Sequence, residues 1–358
     1  MKVSVLGAGG IVGQTMMVRE PAWAEVSYVR SHDETGLYDV LNLVNIDELN
    51  SYLDTFQPDV VLNLSGINQV DLVEANPELS LPINVEVPKA LAKRSDRDFK
   101  LIQVSTQAVF YGDAPPYGTS DRPLAINHYG AQKATAEEFV RQGWNWLIAR
   151  LTFVLGVRPF PAVGRPNPME HMLEAEVQQQ VDDRWMSVVS SKDAADALWS
   201  LCRVEEDRKV FHIGSSKAYT RYDIAQCVAE HTGHSVTPIS QDQFSDAAPR
   251  AVNTRWAAGT LKDKPLEEIV VESMSVFESD EDVELQQRAT EIALFLDNHT
   301  YDEALERLKL GFHDNHALVA ADFNQSGANV NDDASLLQWY LDTEAYIWEL
   351  SAYHLEPG

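Results

Sequence analysis

KVSVLGAGGIVGQ, residues 2–14, decides the fold. A β-branched run stops on glycine, and the residues after Gly10 read as a helix that opens directly behind it. Between them lies GAGGIVG, with Gly7, Gly10 and Gly13 three residues apart. Glycine lets the turn take positive φ and lets backbone approach a pyrophosphate, while the first helical amides face the phosphate charge. A glycine triplet alone is a weak signal. Placed after a strand and at the mouth of a helix, it predicts a dinucleotide-binding βα unit, with Ile11 and Val12 in the first turn of the helix.

Outward from there the rhythm repeats. AEVSYVRS (24–31) reads as the second strand, and GLYDV (36–40) opens a third unit whose helix is NIDELNSYLDTF (45–56). PDVVLNLSG (58–66) is nearly all apolar, as a parallel strand covered on both faces should be. A helix over ELSLPINVEVPKALAKRS (78–95) leads to KLIQVST (100–106), and WNWLIARLTFVLG (144–156) reads as a sixth strand. Strands and helices in alternation predict an α/β fold, a Rossmann-type doubly wound parallel sheet whose ligand site lies beyond the carboxyl ends of the strands. Gly7, Ser65, Ser105 and Thr106 all fall at such ends.

Within that frame HYGAQK (128–133) gains meaning. Tyr129 and Lys133 are one helical turn apart and share a face. An ammonium beside a phenol favours phenolate and lowers its pKa. A strand-end hydroxyl, Ser105 or Thr106, would hydrogen-bond the substrate oxygen alongside. That trio moves a proton to or from a carbonyl or alcohol while a nicotinamide moves the hydride. At the end of the second strand the chain offers Arg30, a cation suited to a 2′-phosphate, so NADP(H) is preferred; Asp33 keeps NAD(H) open if the strand ends later.

These stretches resemble a known family, the extended short-chain dehydrogenase/reductases, and within it the dTDP-4-dehydrorhamnose reductase (sugar-nucleotide-binding) branch. The resemblance runs from residue 1 to about 260 and rests on GAGGIVGQ, PDVVLNLSG, INVEVPKALA, ARLTFVLG, KDAADAL and VFHIGSSKAYTRYDIAQ. The most specific stretch is VSTQAVFYGDAPPYGTSDRPLAINHYGAQKATAEE (104–138). It implies Tyr129 as general acid, Lys133 at the nicotinamide ribose, and Thr106, with Ser105 beside it, on the substrate oxygen. It further implies Asn63, Ser65 and Gly66 under the cofactor, Asp39 and Val40 near adenine, and Asn84 behind the catalytic group. Asn84 as a helix cap and Asp39 as a turn residue remain equal readings. Gln107 stands where the family usually has aspartate, Phe153 where it has tryptophan, and Arg250 opens RAVN where RPxN is usual. The DQxGxPT loop is lost, although Asp183 and Asp193 persist. These departures bear on the sugar more than on the cofactor. The implied substrate is a nucleotide-activated keto sugar, bound through Gln107, Phe153 and Arg250. A cofactor-binding regulatory subunit without turnover, or an epimerase on the same fold, stays open beside it.

The implied organisation is an NADP-binding domain over 1–262 with an interleaved substrate lobe, mainly 157–180 and 215–262. An acidic linker over 263–282 and an all-α C-terminal module over 283–358 follow. Residues 265–358 hold 21 acids against 3 bases, so most of the net charge of -27 lies there. Such a charge excludes nucleic acid and anionic membranes as partners. The module has a Thr300-xx-Glu303 capping box and a final helix rich in aromatics, Trp339, Tyr340, Tyr346 and Trp348, suited to a bundle core or a homodimer contact. Its histidines, His299, His313, His316 and His354, fit no standard metal spacing, and no metal is expected. Cys202 and Cys227 form no disulfide framework, no apolar run nears the roughly 20 residues of a membrane helix, and a cytoplasmic protein is expected.

Overall fold

The computed structural model describes residues 1–31, 38–95, 98–159, 167–243 and 248–274. The expected C-terminal helices, their dimer contact and histidines, and Asp33 lie outside the described residues.

The strands are β1 (Lys2–Leu6), β2 (Glu25–Arg30), β3 (Asp39–Val40), β4 (Val60–Asn63), β5 (Lys100–Thr106), β6 (Trp146–Leu151), β7 (Phe153–Leu155), β8 (Val177–Val181), β9 (Trp185–Ser190), β10 (Lys209–Ile213), β11 (Ala218–Thr220) and β12 (Ser235–Ile239). Seven of them form one sheet in the order β10-β6-β5-β4-β1-β2-β3, with every pairing parallel. The order reverses between β1 and β4. That switch point, at the carboxyl ends, is where doubly wound sheets open a crevice for ligand.

The helices are α1 (Ile11–Val18), α2 (Ile46–Phe56), α3 (Val70–Ala75), α4 (Pro77–Leu81), α5 (Val87–Ser95), α6 (His128–Val140), α7 (Pro168–Glu174), α8 (Ser191–Cys202), α9 (Arg221–Thr232) and α10 (Leu266–Ser273). Helix ends follow local chemistry. Asn45 caps α2 through the Glu48 amide, and Thr220 with Asp223 closes a capping box on α9, which ends on Gly233 in the left-handed region. Leu6, Leu49, Leu53, Val61, Leu91 and Ile148 belong to a core packed against the large sheet.

Two expectations are corrected here. The single sixth strand breaks at Thr152: β6 stays in the large sheet, while β7 pairs with β9 in a separate sheet of order β11-β9-β7. The Thr152 hydroxyl donates to the Ser187 carbonyl, so the chain is handed from one sheet to the next at that residue. The expected linker begins instead with α10. Its acids Glu267 and Glu268 lie exposed, but Ile269 and Val270 are buried with Leu155, Met172, Val188, Ile224 and Val228 in the core of the small lobe. That apolar face makes residues 266–273 part of the folded lobe.

Candidate functional site

The glycine turn is built by close approach. Gly7 sits at φ 79°, and a Cβ there would lie 2.5 Å from the Ser65 Cα, so the turns after β1 and β4 touch through backbone alone. Above the turn the space is open, since a Cβ on Gly10 would meet nothing within 4 Å. Gly10 caps α1 with no side chain over the helix mouth, and the first turn, Ile11 to Gly13, carries no acid. Those amides are left to an anion.

The neighbouring elements complete a cradle. Asn63, fully buried at the end of β4, accepts from the Ser65 hydroxyl at 2.5 Å and the Ser65 amide at 3.1 Å. Its amide donates to Gln103 at 2.8 Å, which fixes the orientation of the loop. Arg30 stacks on the Tyr38 ring at 4.8 Å, and its Nε would lie 3.4 Å from a Cβ on Gly9. The guanidinium therefore stands beside the glycine turn at the end of β2. Asp39 accepts from Ser27 at 2.5 Å, and Ser27 is bonded to Tyr52, so the carboxylate is anchored from below; Val40 is exposed beside it.

Asn84 is not a cap. It lies inside a π-helical turn, Pro82–Glu86, that joins α4 to α5. Its side-chain oxygen accepts the Ile67 amide at 2.9 Å, and its amide donates to the Ile67 carbonyl at 3.1 Å and to Gln132 at 2.8 Å. The wide turn aims a buried amide at the loop after β4, beside Gly66, whose Cβ would lie 2.8 Å from the Asn84 oxygen. Such turns inside helices recur at functional sites.

Thr106 ends β5, and Tyr129 and Lys133 lie one turn apart on α6. The Thr106 hydroxyl lies close enough to the Tyr129 phenol to act on its protonation, lowering the pKa that burial raises. Thr106 Oγ1 also accepts the Ala108 amide at 3.2 Å. Tyr129 opens α6, whose first turn is capped by Asn127 accepting the Gly130 amide at 2.9 Å. Gly130 makes the contact possible: a Cβ there would lie 2.1 Å from the Ala108 carbonyl oxygen, so only glycine brings α6 this close to the end of β5. Gly130→Ala is expected to destabilise the protein by roughly 1–3 kcal/mol through overpacking. It should also lower turnover at least about tenfold by displacing Tyr129. Thermal unfolding and steady-state kinetics on the same preparation check both.

Ser105 does not join that group. Adjacent strand residues face opposite ways, and Ser105 is buried with its hydroxyl donating to Glu137 at 2.6 Å. The electrostatics also differ from expectation. Burial pushes the Tyr129 phenol up, to about 12, against the opposing hydrogen bond from Thr106. The phenol is thereby held protonated at neutral pH. Burial pushes the Lys133 ammonium down, to about 8, and the charge of Glu137 opposes that. Lys133 is only 6% exposed, so its charge is borne at a cost in stability.

That cost is measurable. Lys133 has a folded-state pKa below the ordinary 10.5, so between about 8 and 10.5 the unfolded chain holds more protons and stability rises with pH. Lys133→Met is expected to raise stability at neutral pH by about 2 kcal/mol while removing activity. The gain should shrink as pH climbs from 8 towards 10.5. Melting temperatures of both proteins across that range test the sign.

The expected substrate residues are spread more widely. Gln107 follows Thr106 in a short 3₁₀ turn, and its side-chain amide lies 2.7 Å from the Thr152 hydroxyl. Phe153 packs into the small lobe on β7, with the Arg221 guanidinium 5.9 Å from its ring. Arg250 lines a pocket of about 340 Å³ with Tyr111, Ile126, Gln241, Pro249 and Val252. Its guanidinium meets Asp71 of α3 at 3.0 Å, and the Pro249 carbonyl accepts from Asn127 at 2.9 Å. The pocket wall is thus tied to the cap of the helix that carries Tyr129. Asp183 and Asp193 are occupied elsewhere, by Ser240 and Lys264.

Sequence reasoning missed Gln132, Asn127 and Glu137. Gln132 is buried on α6 and binds Ser80, Asn84 and the Pro77 carbonyl. The signal for Asn127 was present: an Asn directly before a helix start is a cap. No group of His, Cys, Asp and Glu able to hold a metal ion occurs among the described residues, and none of their helices is long and apolar enough to cross a membrane.

Fold and site together define a Rossmann-type α/β protein with a Thr-Tyr-Lys cluster at the carboxyl edge of its sheet. Residues 1–269 match the family described as the RmlD substrate binding domain, and the chain belongs to that family. It is 29% identical over 266 residues to a probable low-salt glycan biosynthesis reductase, Agl14, of Haloferax volcanii, covering 71% of this chain and 88% of that protein. It is also 25% identical over 276 residues to methionine adenosyltransferase 2 subunit beta of Danio rerio, covering 73% and 84%. Among solved structures, dTDP-4-dehydrorhamnose reductase from Bacillus anthracis in complex with NADP superposes with a TM-score of 0.67 at 22% identity, over 76% of this chain and 98% of that one. At that identity the likeness speaks for the fold.

Proposed function

We propose that this chain is an NADPH-dependent reductase of a keto group on a nucleotide-activated deoxysugar. The observation that carries the reading is the placement of Tyr129 on α6 beside Thr106 at the end of β5, with buried Lys133 one turn further along the helix. The residues at the glycine turn fit a dinucleotide: an uncapped helix mouth without acids, an open face over Gly10, and a guanidinium at the end of β2. The NADP named for the Bacillus anthracis structure and the reductase name of the Haloferax volcanii relative support the same reading.

In it, Gly7 to Gly13 hold the pyrophosphate, Asn63, Ser65 and Gly66 floor the crevice, and Asp39 and Val40 flank the adenine. Arg30 binds the 2′-phosphate, and Lys133 the nicotinamide ribose. When bound, the nicotinamide supplies the hydride. The Tyr129 phenol gives its proton to the keto oxygen, which Thr106 orients. Asn84 holds the Ile67 backbone that borders the site. Gln107 and Arg250 face the sugar nucleotide, Arg250 through charge-assisted bonds to its diphosphate. A bound soluble substrate needs no membrane and no nucleic acid, in keeping with a cytoplasmic enzyme.

The test is NADPH consumption by the purified chain with a panel of nucleotide-linked 4-keto-6-deoxy sugars. Ketone-dependent consumption is the expected result. Binding of NADPH with no consumption of any ketone would move the reading to a non-catalytic subunit, which the methionine adenosyltransferase relatives favour by name. Tightly retained nicotinamide and interconversion of sugar epimers would point to an epimerase. Cofactor preference has its own readout. Arg30→Ser is expected to raise KM for NADPH about 10- to 100-fold, the worth of a charged hydrogen bond, and to leave KM for NADH within about twofold.

A further inference from the structure

Tyr129, Lys133 and Glu137 follow one another at four-residue steps along α6, so all three lie near one stripe of the helix. The first two face the crevice in the reading above, on which this inference rests. Glu137 is 1% exposed, and both its oxygens are used. Oε1 accepts from Ser105 Oγ at 2.6 Å and from Arg150 Nε at 2.9 Å. Oε2 accepts from Arg150 at 2.7 Å and from Arg141 at 3.3 Å. Arg150 is fully buried on β6, directly opposite Ser105 of β5 in the parallel register. One carboxylate thus ties α6 to two neighbouring strands at the level of the residue just before Thr106.

We propose that Glu137 is a positioning residue for this site: it fixes the turn of α6 that carries Lys133 and supplies the buried counter-charge that keeps Lys133 an ammonium. Charge accounting supports it. Arg150 and Glu137 neutralise each other, Lys133 adds a cation in the same interior, and Glu137 is the charge one turn away that acts on it. The other charged groups packed against α6 are engaged elsewhere. Glu74 of α3 accepts the His128 amide at 2.9 Å, and Lys89 of α5 lies over the Phe139 ring while pairing with Glu86. Arg141 reaches Glu137 itself from the far end of the helix.

The experiment titrates Lys133 directly. The full chain is labelled with 13C at lysine Cε, the Lys133 resonance is assigned with Lys133→Arg, and its midpoint is followed with pH in wild type and Glu137→Gln. NADPH affinity is measured over the same pH range. The expected result is a midpoint lower by about one unit in Glu137→Gln, as loss of a neighbouring opposite charge dictates. NADPH affinity should begin to fall at a correspondingly lower pH. Should Glu137→Gln not fold around an unpaired Arg150, the Glu137→Gln/Arg150→Met pair removes both charges and is expected to displace the midpoint in the same direction by a smaller amount, since a more distant cation is lost as well. Coincident midpoints in wild type and variant would overturn the proposal. Because the titration needs no ketone and no turnover, it decides the role of Glu137 even where the panel of keto sugars shows no reduction; that outcome would sink the functional reading alone.

Discussion

Tyr129→Phe is expected to lower kcat for ketone reduction by about 10²- to 10⁴-fold, the usual worth of a positioned general acid. NADPH affinity should stay within about twofold, since the ring keeps its place on α6 and only the hydroxyl is lost. In the proposed reduction the phenol is the proton donor. Burial holds the phenol near 12, so at neutral pH nearly every molecule carries the proton that a forming alkoxide needs. Thr106→Val should cost less, about 10-fold, because it removes an orienting hydrogen bond and leaves the proton donor. Equal kcat in wild type and Tyr129→Phe would mean that the proton reaches the substrate by another route, and Tyr129 would lose its role.

The parts that were legible in the sequence are those fixed by local rules. β-Branched runs ending on glycine and the apolar DVVLNL strand each carry their own cause within a few residues, and the large sheet follows from them. The parts that were not legible depend on partners far along the chain. Thr152 reads as mid-strand until Ser187 is known to lie beneath it. The 263–282 segment reads as linker because a charge count averages over faces; Glu267 and Glu268 mask an apolar stripe at Ile269 and Val270 that only the small lobe explains. The Ser105–Thr106 pair could have been separated at the outset. Consecutive strand residues point to opposite faces, so one hydroxyl alone could reach Tyr129, and the other had to find an interior partner. That partner, Glu137, sits in the quoted pattern one turn past Lys133, but its meaning depends on Arg150, thirteen residues further on. The tyrosine pKa departs from the expectation for a related reason. Spacing reveals a neighbouring charge and says nothing of how deeply the pair is buried.

Arg150→Met is expected to destabilise the protein by about 3–5 kcal/mol, because it strands the Glu137 carboxylate in an interior from which its main counter-ion is gone. Arg141, whose side chain is 37% exposed and reaches Glu137 at 3.3 Å, would compensate only in part. In a chain of this size the loss corresponds to a fall in Tm of roughly 10 °C. The pH dependence tells this mechanism from simple loss of packing. In wild type, Arg150 and Ser105 hold Glu137 below the ordinary 4.5 despite burial, so the pair's contribution is present above that value and fades as pH falls through the lowered one. In Arg150→Met the carboxyl loses that support, desolvation raises its pKa, and the protein recovers stability as pH falls and the group becomes neutral. The Tm gap between the two proteins should therefore be widest near neutral pH and narrow towards acid. Adding Glu137→Gln should restore most of the loss at neutral pH, since a neutral amide is far cheaper to bury than a lone carboxylate. Such a restored chain would be stable yet impaired at Lys133. A gap that stays constant with pH, or a double variant no more stable than Arg150→Met, would assign the loss to packing against Phe110, whose ring lies 5.0 Å from the guanidinium.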